Sequence, residues 1–181
     1  MLAEIAISNL GVISHASSEL SPGLTVLTGE TGAGKTMVVT GLRLLTGGRA
    51  DASRVRTGAD GAVVEGAFGT QGVPDEVREA IDAIAAGAGA EPDENGEYLV
   101  SRSVKASGRS SAHLGGRKVP AATLSELAGH LLTIHGQNDQ LRLMAPEQQL
   151  AALDRFDPAI QAKLDVYRET YTCLLYTSPS P

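Results

Sequence analysis

The chain has 181 residues and a formal net charge of −6, so we expect one domain with room for an appendage, and any nucleic-acid contact must be a local basic patch. One cysteine, Cys173, excludes an internal disulfide framework. No apolar run approaches the ~20 residues of a membrane span and no basic signal region opens the chain, so we expect an intracellular protein that does not contact membranes.

The first 28 residues predict β-strands joined by two turns. Ile5 and Ile7 precede a turn at Asn9–Gly11, and Ser21–Gly23 makes a second turn. The apolar run Leu24–Leu27 then predicts a further strand. A strand that ends in a glycine-rich turn is one way to build the edge of a nucleotide-binding sheet.

The most informative segment is Gly29–Thr36, which reads GETGAGKT and matches the phosphate-binding pattern G-x-x-x-x-G-K-[ST]. Glycines let backbone N–H groups approach phosphate oxygens because no Cβ atom intervenes. We expect Lys35 to reach the β- and γ-phosphates and the Thr36 hydroxyl to hold Mg²⁺. A chance glycine-rich turn is the alternative. The predicted nucleotide-binding residues are Gly29, Glu30, Thr31, Gly32, Ala33, Gly34, Lys35 and Thr36.

Two helices and a strand are predicted after this segment. The first helix should run from Lys35 to Thr46 and end at Gly47–Gly48. Its β-branched interior disfavours a helix, so burial of an apolar face must stabilise it. Val63–Phe68 predicts a strand, and Pro74 should begin the second helix.

The third quarter of the chain predicts a hairpin and a helix. Tyr98–Val104 and Ser110–Leu114 should pair as antiparallel strands. Thr123–Glu126 has the capping-box pattern that begins a helix, and Leu132–His135 predicts a short buried strand. A further helix is expected from Pro146.

The end of the chain divides into two segments. Four residues have the spacing of a two-stranded seam, which a single amphipathic helix also explains: Ile160, Leu164, Tyr167 and Tyr171. The pattern then ends, and the nine residues 173–181 look like translated adapter or vector sequence. We therefore expect residues 158–172 to begin a coiled-coil arm and residues 173–181 to be non-native.

Several of these segments resemble the RecN family of bacterial DNA repair proteins, within the structural-maintenance-of-chromosomes (SMC) class of ATPases. The run Pro22–Thr28 leading into GETGAGKT and the sequence LLTGGRAD at Leu44–Asp51 are similar to the family's opening. Gly108–Ser110 resembles its hairpin, and IHGQ at Ile134–Gln137 resembles its Q-loop. The resemblance covers residues 1–172. Asn138 departs from the family, which usually has His at this position.

The resemblance implies an α/β P-loop NTPase fold of the ABC/SMC ATPase head type, with a mixed sheet and flanking helices. The signature motif, the Walker B aspartate and the second half of a coiled coil do not occur in this sequence. Only the N-terminal lobe is therefore expected. We place it at residues 1–157, with the phosphate loop at 29–36 and the Q-loop near 137, followed by the start of the coiled-coil arm.

A mechanism is also implied by the resemblance. ATP and Mg²⁺ would bind the phosphate loop, with Lys35 and Gln137 as catalytic residues and with Thr36 and Gln137 beside the metal ion. A second head would then close over the γ-phosphate in a homodimer held through heads and coiled coil. Each part that positions or neutralises the transferred phosphoryl group matters. We therefore expect the chain alone not to hydrolyse ATP.

Basic residues supply candidate DNA contacts. Five basic side chains and no acidic one lie between Glu97 and Glu126: Arg102, Lys105, Arg109, Arg117 and Lys118. Phosphate neutralisation drives non-specific DNA binding, although a solvated hairpin face explains these residues slightly better. The candidate DNA or nucleotide contacts are Arg54, Arg56, Arg109, Arg117 and Lys118, the first two by resemblance to an arginine-bearing loop of SMC heads.

The expected function is ATP binding and hydrolysis that drives head engagement and DNA tethering in double-strand-break repair, in the bacterial cytoplasm at the nucleoid. A self-contained P-loop kinase or GTPase is one alternative, but it would need an acceptor site and a Walker B aspartate within this chain. Another SMC- or ABC-class head fragment is a second. A third is a fragment that binds nucleotide weakly because half a head leaves surface exposed.

Overall fold

The computed structural model describes residues 1–30, 34–132, 134, 149–150, 153–154 and 158–177. The chain divides into two compact units, Met1–Thr133 and Ile134–Pro181. None of the described helices combines the length and the apolar content that crossing a membrane requires.

The first unit is built on a six-stranded sheet with the strand order β2-β1-β3-β4-β5-β6. Its strands are β1 Leu2–Leu10, β2 Ile13–Glu19, β3 Gly61–Gly69, β4 Glu97–Lys105, β5 Ser110–Leu114 and β6 Arg117–Val119. Every neighbouring pair is antiparallel, so these six strands do not form the mixed sheet that the resemblance implied. The predicted first hairpin, the strand at Val63–Phe68 and the second hairpin are confirmed.

Helices cover one face of this sheet. The helical elements are α1 Lys35–Leu45, a 3₁₀ turn Ala52–Arg54, α2 Asp75–Gly87 and α3 Ala121–Leu131. Helix α1 packs on β1, β3 and β4, while α3 packs on β5 and on α2. The two helices predicted from Lys35 and after Pro74 are confirmed. The 3₁₀ turn and the three-residue strand β6 were not predicted, because neither is long enough to show a periodic pattern.

The core lies between the sheet and these helices. Strand residues of one parity, such as Val64 and Phe68, are fully buried beneath them. Gly41 lets α1 pack closely against the sheet, although glycine disfavours a helix. A Cβ at this position would lie 3.0 Å from Ile7 Cδ1 and 3.4 Å from Val64 Cγ1. The glycine therefore costs helix propensity and permits close approach of α1 to the sheet.

The strand predicted at Leu24–Leu27 is wrong in this structure. The segment has no strand hydrogen bonds, and the side chains of Leu24, Val26 and Leu27 are 89%, 65% and 55% exposed. Both edges of β1 are already occupied, by β2 and β3. The apolar run pairs with no strand among the described residues, not even with the edge strands β2 and β6.

The start of α3 also differs from its prediction. The helix begins at Ala121 after Pro120, so Thr123 lies inside the first turn and does not act as the N-cap. Proline fixes φ near the value that a helix start needs, and this overrides the capping-box pattern. The predicted apolar face is confirmed, with Leu124 and Leu127 buried. Leu132 and Ile134 have no strand assignment, and the other two residues of the strand predicted at Leu132–His135 lie outside the described residues.

The second unit contains the helix α4, Pro158–Thr177. Tyr167 and Tyr171 stack with their ring centroids 6.0 Å apart, and both are more than half exposed. The helix continues past Thr172, the last residue of the predicted coiled-coil segment, and ends at Thr177. Leu174, 62% exposed, lies three residues after Tyr171 and continues the spacing that begins at Ile160. The foreign origin of residues 173–181 and the boundary at 157 stay predictions, and the helix expected from Pro146 begins outside the described residues.

Candidate functional site

The N-terminus of α1 is the centre of the candidate site. Gly34 is its N-cap residue, with φ of 98° in the left-handed region that favours glycine. Gly34 is buried, and a Cβ there would lie 3.2 Å from Ile13 Cγ1 at the start of β2. The glycine in the phosphate-loop pattern therefore allows the helix to begin directly against the first hairpin.

The first amides of α1 are available to an anion. The Gly34 carbonyl accepts hydrogen bonds from the N–H groups of Met37 at 2.8 Å and Val38 at 3.0 Å. No side chain caps the helix, and its first turn has no acidic residue. The N–H groups of Lys35 and Thr36 therefore lack partners within the helix, at the positive end of its dipole. This arrangement suits a phosphate group.

The Lys35 ammonium contacts the first two residues of the phosphate-loop pattern. Its Nζ donates to the Gly29 carbonyl and, at 3.0 Å, to the Glu30 carbonyl. Lys35 thereby joins the start of the phosphate-loop pattern to its end. The predicted binding residues Thr31, Gly32 and Ala33 lie outside the described residues. The structure thus brings together Gly29, Glu30, Gly34, Lys35 and Thr36.

Thr36 is exposed at the same helix end. Its carbonyl accepts a hydrogen bond from Thr40 Oγ1 at 2.8 Å, and its own hydroxyl has no hydrogen-bond partner among the described residues. A free hydroxyl beside a phosphate site is the kind of hard oxygen ligand that Mg²⁺ accepts. Orphan amides, a lysine ammonium and a free hydroxyl together fit Mg·ATP.

A pocket of about 410 Å³ opens beside these groups. One wall is the start of α1, Gly34–Met37, and the others are Gly11–Val12 of the first hairpin turn and Ser53–Arg54 of the 3₁₀ turn. No sequence pattern placed the hairpin turn or Ser53 in the predicted site. A signal was present at Gly11, where φ is +55° and a Cβ would meet Met37 Sδ.

The 3₁₀ turn is fixed by Asp51, whose carboxylate accepts hydrogen bonds from Ser53 Oγ at 2.7 Å and Ser53 N at 2.9 Å. These two hydrogen bonds hold the pKa of Asp51 below its usual value. Arg54 Nε lies 3.7 Å from the same carboxylate. The turn therefore presents Arg54 to the pocket from a defined backbone position.

Arg56 has a different role from Arg54. Its Nη1 donates to the Val12 carbonyl at 2.7 Å, and its backbone N–H donates to the Asn9 carbonyl at 2.9 Å. Arg56 thus ties the segment after the 3₁₀ turn to the first hairpin, which forms one wall of the pocket. It supports the pocket rather than lining it.

The remaining basic candidates do not form one cluster. Arg109 lies in the turn between β4 and β5, whereas Arg117 and Lys118 lie in β6, paired with the last two residues of β5. Strand β5 is five residues long, which separates the two groups by roughly 17 Å. Arg102 points away from both groups, because it lies on the helix-covered face of the sheet and is 6% exposed. The predicted Mg²⁺ ligand and catalytic residue Gln137 lies outside the described residues.

Comparison with known proteins identifies the family. Residues 4–169 match the family described as AAA domain. The chain belongs to the AAA domain family. Over 162 residues it is 57% identical to the DNA repair protein RecN of Mycobacterium tuberculosis, a match that covers 90% of this chain and 28% of that protein. The chain therefore spans little more than a quarter of the length of this relative.

Solved structures agree on the fold of this AAA domain. A Pyrococcus furiosus Smc head domain, solved with an extended coiled coil and bound to the C-terminal domain of ScpA, aligns with a TM-score of 0.61 and 16% identity. This alignment covers 97% of this chain and 48% of that one. A structure from work on ATP-driven dimerization and DNA-stimulated activation of SMC ATPases aligns with a TM-score of 0.59 and 18% identity, covering 86% of this chain and 99% of that one. The expected similarity to RecN and the SMC head fold are both confirmed.

Proposed function

We propose that this chain is the ATP-binding lobe of an SMC-class ATPase head in a RecN-like protein of DNA double-strand-break repair. The observation that carries the proposal is the start of α1, where unpaired amides, the Lys35 ammonium and the Thr36 hydroxyl surround one pocket. Phosphoryl transfer depends mainly on positioning and neutralising charge, and these groups supply both. Membership of the AAA domain family and similarity to RecN support the same conclusion.

The rest of the mechanism belongs to the longer protein. Bound Mg²⁺ would neutralise charge on the β- and γ-phosphates. Thr36 would hold this ion together with Gln137, and Gln137 would also orient the attacking water. Arg54 lines the pocket and would contact nucleotide or DNA. Engagement of two heads, with the coiled coil that α4 begins, would form a homodimer that tethers DNA in the bacterial cytoplasm, at the nucleoid.

A direct test is ATP binding by the Lys35→Ala variant, measured by titration with a fluorescent ATP analogue in the presence of Mg²⁺. The Lys35 ammonium would neutralise part of the charge on the triphosphate. The Lys35→Ala variant should therefore bind ATP at least about tenfold more weakly, a loss of about 1.4 kcal/mol of binding free energy. Lys163→Ala removes an exposed lysine of α4 and is the matched control. Equal affinity of the wild type and Lys35→Ala would contradict the proposal.

Hydrolysis separates this proposal from the self-contained kinase or GTPase. The chain lacks the signature motif and the Walker B aspartate that a complete head needs. Purified chain with Mg·ATP should therefore show no multiple turnover, as measured by phosphate release. Steady turnover that Lys35→Ala abolishes would favour the self-contained enzyme.

Salt-dependent DNA binding can show which basic residues contact DNA, those near the start of β5 or those near its end. We propose contacts from Arg109 at one end and from Arg117 and Lys118 at the other. If an arginine or lysine neutralises a phosphate, its charge reversal should reduce the slope of log K against log salt by about 0.9. Arg109→Glu and Lys118→Glu test the two ends separately. Arg78→Glu in α2 is the control, since Arg78 already pairs with Asp75. Slopes that neither substitution changes would leave only a solvated surface.

A further inference from the structure

Arg102 is a buried cation that the proposed site does not use. It lies in β4 on the face of the sheet that the helices cover, in a row with Val64 of β3 and Ala112 of β5. Val64 and Ala112 are 0% and 1% exposed, and Arg102 itself is only 6% exposed. Arginine is almost never buried to this extent unless it is paired.

The structure shows no partner for this guanidinium within the described residues. Arg102 Nε is sealed from solvent without a hydrogen bond, and no described carboxylate forms an ion pair with Arg102. Burial lowers the pKa of Arg102. Arginine nevertheless keeps its proton at any pH that proteins tolerate, so it cannot escape the cost of burial by becoming neutral. A buried charge without a partner is strongly destabilising.

The position of Arg102 indicates where a partner would enter. On one side, β3 is covered by α1, whose Gly41 contacts Val64. On the other side, β5 is covered by α3. Arg102 therefore lies in the sheet between β3, which α1 covers, and β5, which α3 covers. Leu42 of α1 and Leu131 of α3 pack on the core but are only partly buried, so both helices keep apolar surface available for packing.

We propose that Arg102 is one half of an ion pair whose other half is an aspartate or glutamate of the longer protein, inserted between α1 and α3. This inference rests on the proposed function, since it requires that a further segment completes the head. A carboxylate side chain suits the site better than a nucleic-acid phosphate. A carboxylate is small enough to be buried beside apolar residues such as Val64 and Ala112, and it accepts two parallel N–H bonds from a guanidinium.

Two further observations support a missing protein segment. The exposed apolar run Leu24–Leu27 belongs to the same unit and also lacks a packing partner among the described residues. The chain covers only 28% of its RecN relative, so most of such a protein is available to supply the segment. We expect the same segment to cover apolar surface and to neutralise Arg102.

The test compares Arg102→Met in this chain and in the full-length protein by thermal unfolding. In the chain, the substitution replaces an unpaired buried charge by an apolar side chain, so the midpoint should rise by about 4 °C or more. In the full-length protein, it leaves the buried carboxylate alone, so the midpoint should fall by a similar amount. Arg117→Met, an exposed arginine of β6, is the matched control and should change neither midpoint by more than about 2 °C.

The decisive result is that Arg102→Met raises the thermal unfolding midpoint of the chain and lowers that of the full-length protein. A fall in both proteins would overturn the proposal, because Arg102 would already be paired within the chain. A rise or no change in the full-length protein would also overturn it, because no carboxylate would then depend on Arg102. If full-length Arg102→Met does not fold, Arg102→Glu should regain folding with one Asp→Lys or Glu→Lys change outside residues 1–181. Failure of every such change would count against the ion pair.

ATP binding by the full-length wild type, measured in parallel, separates the two proposals. If Arg102→Met does not change the two midpoints in opposite directions but the full-length wild type binds ATP normally, the ion-pair proposal is refuted and the proposed function is not. Absence of ATP binding would remove the proposed function, whatever the Arg102 variants show.

Discussion

The strand β5, SSAHL, is less apolar than the segment Leu24–Leu27, LTVL, yet only β5 is part of the sheet. Leu114 of β5 is fully buried, with strand partners on both sides, whereas Leu24 is 89% exposed. Apolar content alone therefore does not make a strand, which also needs hydrogen bonds to a neighbouring strand. In the first unit, each strand of the antiparallel sheet has such a neighbour, whereas the segment that leads into the phosphate loop pairs with none of the described strands.

The largest expected effect is a matched pair of leucine truncations. Leu114→Ala should lower the free energy of unfolding of this chain by about 2–5 kcal/mol, because it removes buried contacts and leaves a cavity. Leu24→Ala should change it by less than about 0.5 kcal/mol, because the side chain is exposed. Urea unfolding of both variants measures this. Comparable losses of unfolding free energy would show that Leu24 is packed in solution and would contradict its 89% exposure.

A smaller effect separates two glycines of the first unit. Gly47 follows α1 with φ of +78°, and a Cβ there would meet the Ala121 carbonyl and lie 2.8 Å from Ser125 N, so α3 would have to move. Gly58 has φ of +86° but open space around it. Gly58→Ala should cost only the left-handed backbone penalty of about 1–2 kcal/mol. Gly47→Ala should cost clearly more in the same unfolding assay, and equal costs would refute the close contact between α1 and α3.

The smallest effect is expected at Tyr98, whose hydroxyl donates to Asp82 Oδ1 at 2.7 Å. Burial, with this hydrogen bond, raises the pKa of Tyr98 from 10.0 to about 12. Below pH 10 the stabilisation is fully present, and it is lost as the pH rises towards 12, because the unfolded chain releases the proton first. Tyr98→Phe should cost about 1 kcal/mol at neutral pH and flatten this alkaline slope. An unchanged slope would show that Tyr98 is not the group responsible.

The sequence predicted the elements that depend on local pattern. The alternation around Ile5 and Val64 specified strands, and the glycines at 34 and 47 marked the two ends of α1. Local pattern could not place partners. Nothing around Leu24 showed that its segment would pair with none of the described strands.

The same limit applies to charge. Arg102 lies among basic residues of the second hairpin and was grouped with them, but the parity of β4 turns it to the core. Arg109 and Lys118 share the group in sequence, yet the length of β5 separates them. Within the candidate site, the motif predicted Lys35 and Thr36, whereas the contribution of the hairpin turn at Gly11 depends on tertiary packing.

Hydrogen exchange at the start of α1 tests whether this helix terminus binds the triphosphate of ATP. The amide protons of Lys35 and Thr36 have no partner within the helix, so they should exchange rapidly in the free chain. Saturating Mg·ATP should slow both strongly, while AMP, which lacks the β- and γ-phosphates, should not. If these two amides exchange equally fast with and without Mg·ATP, this helix terminus does not bind the triphosphate and the account is contradicted.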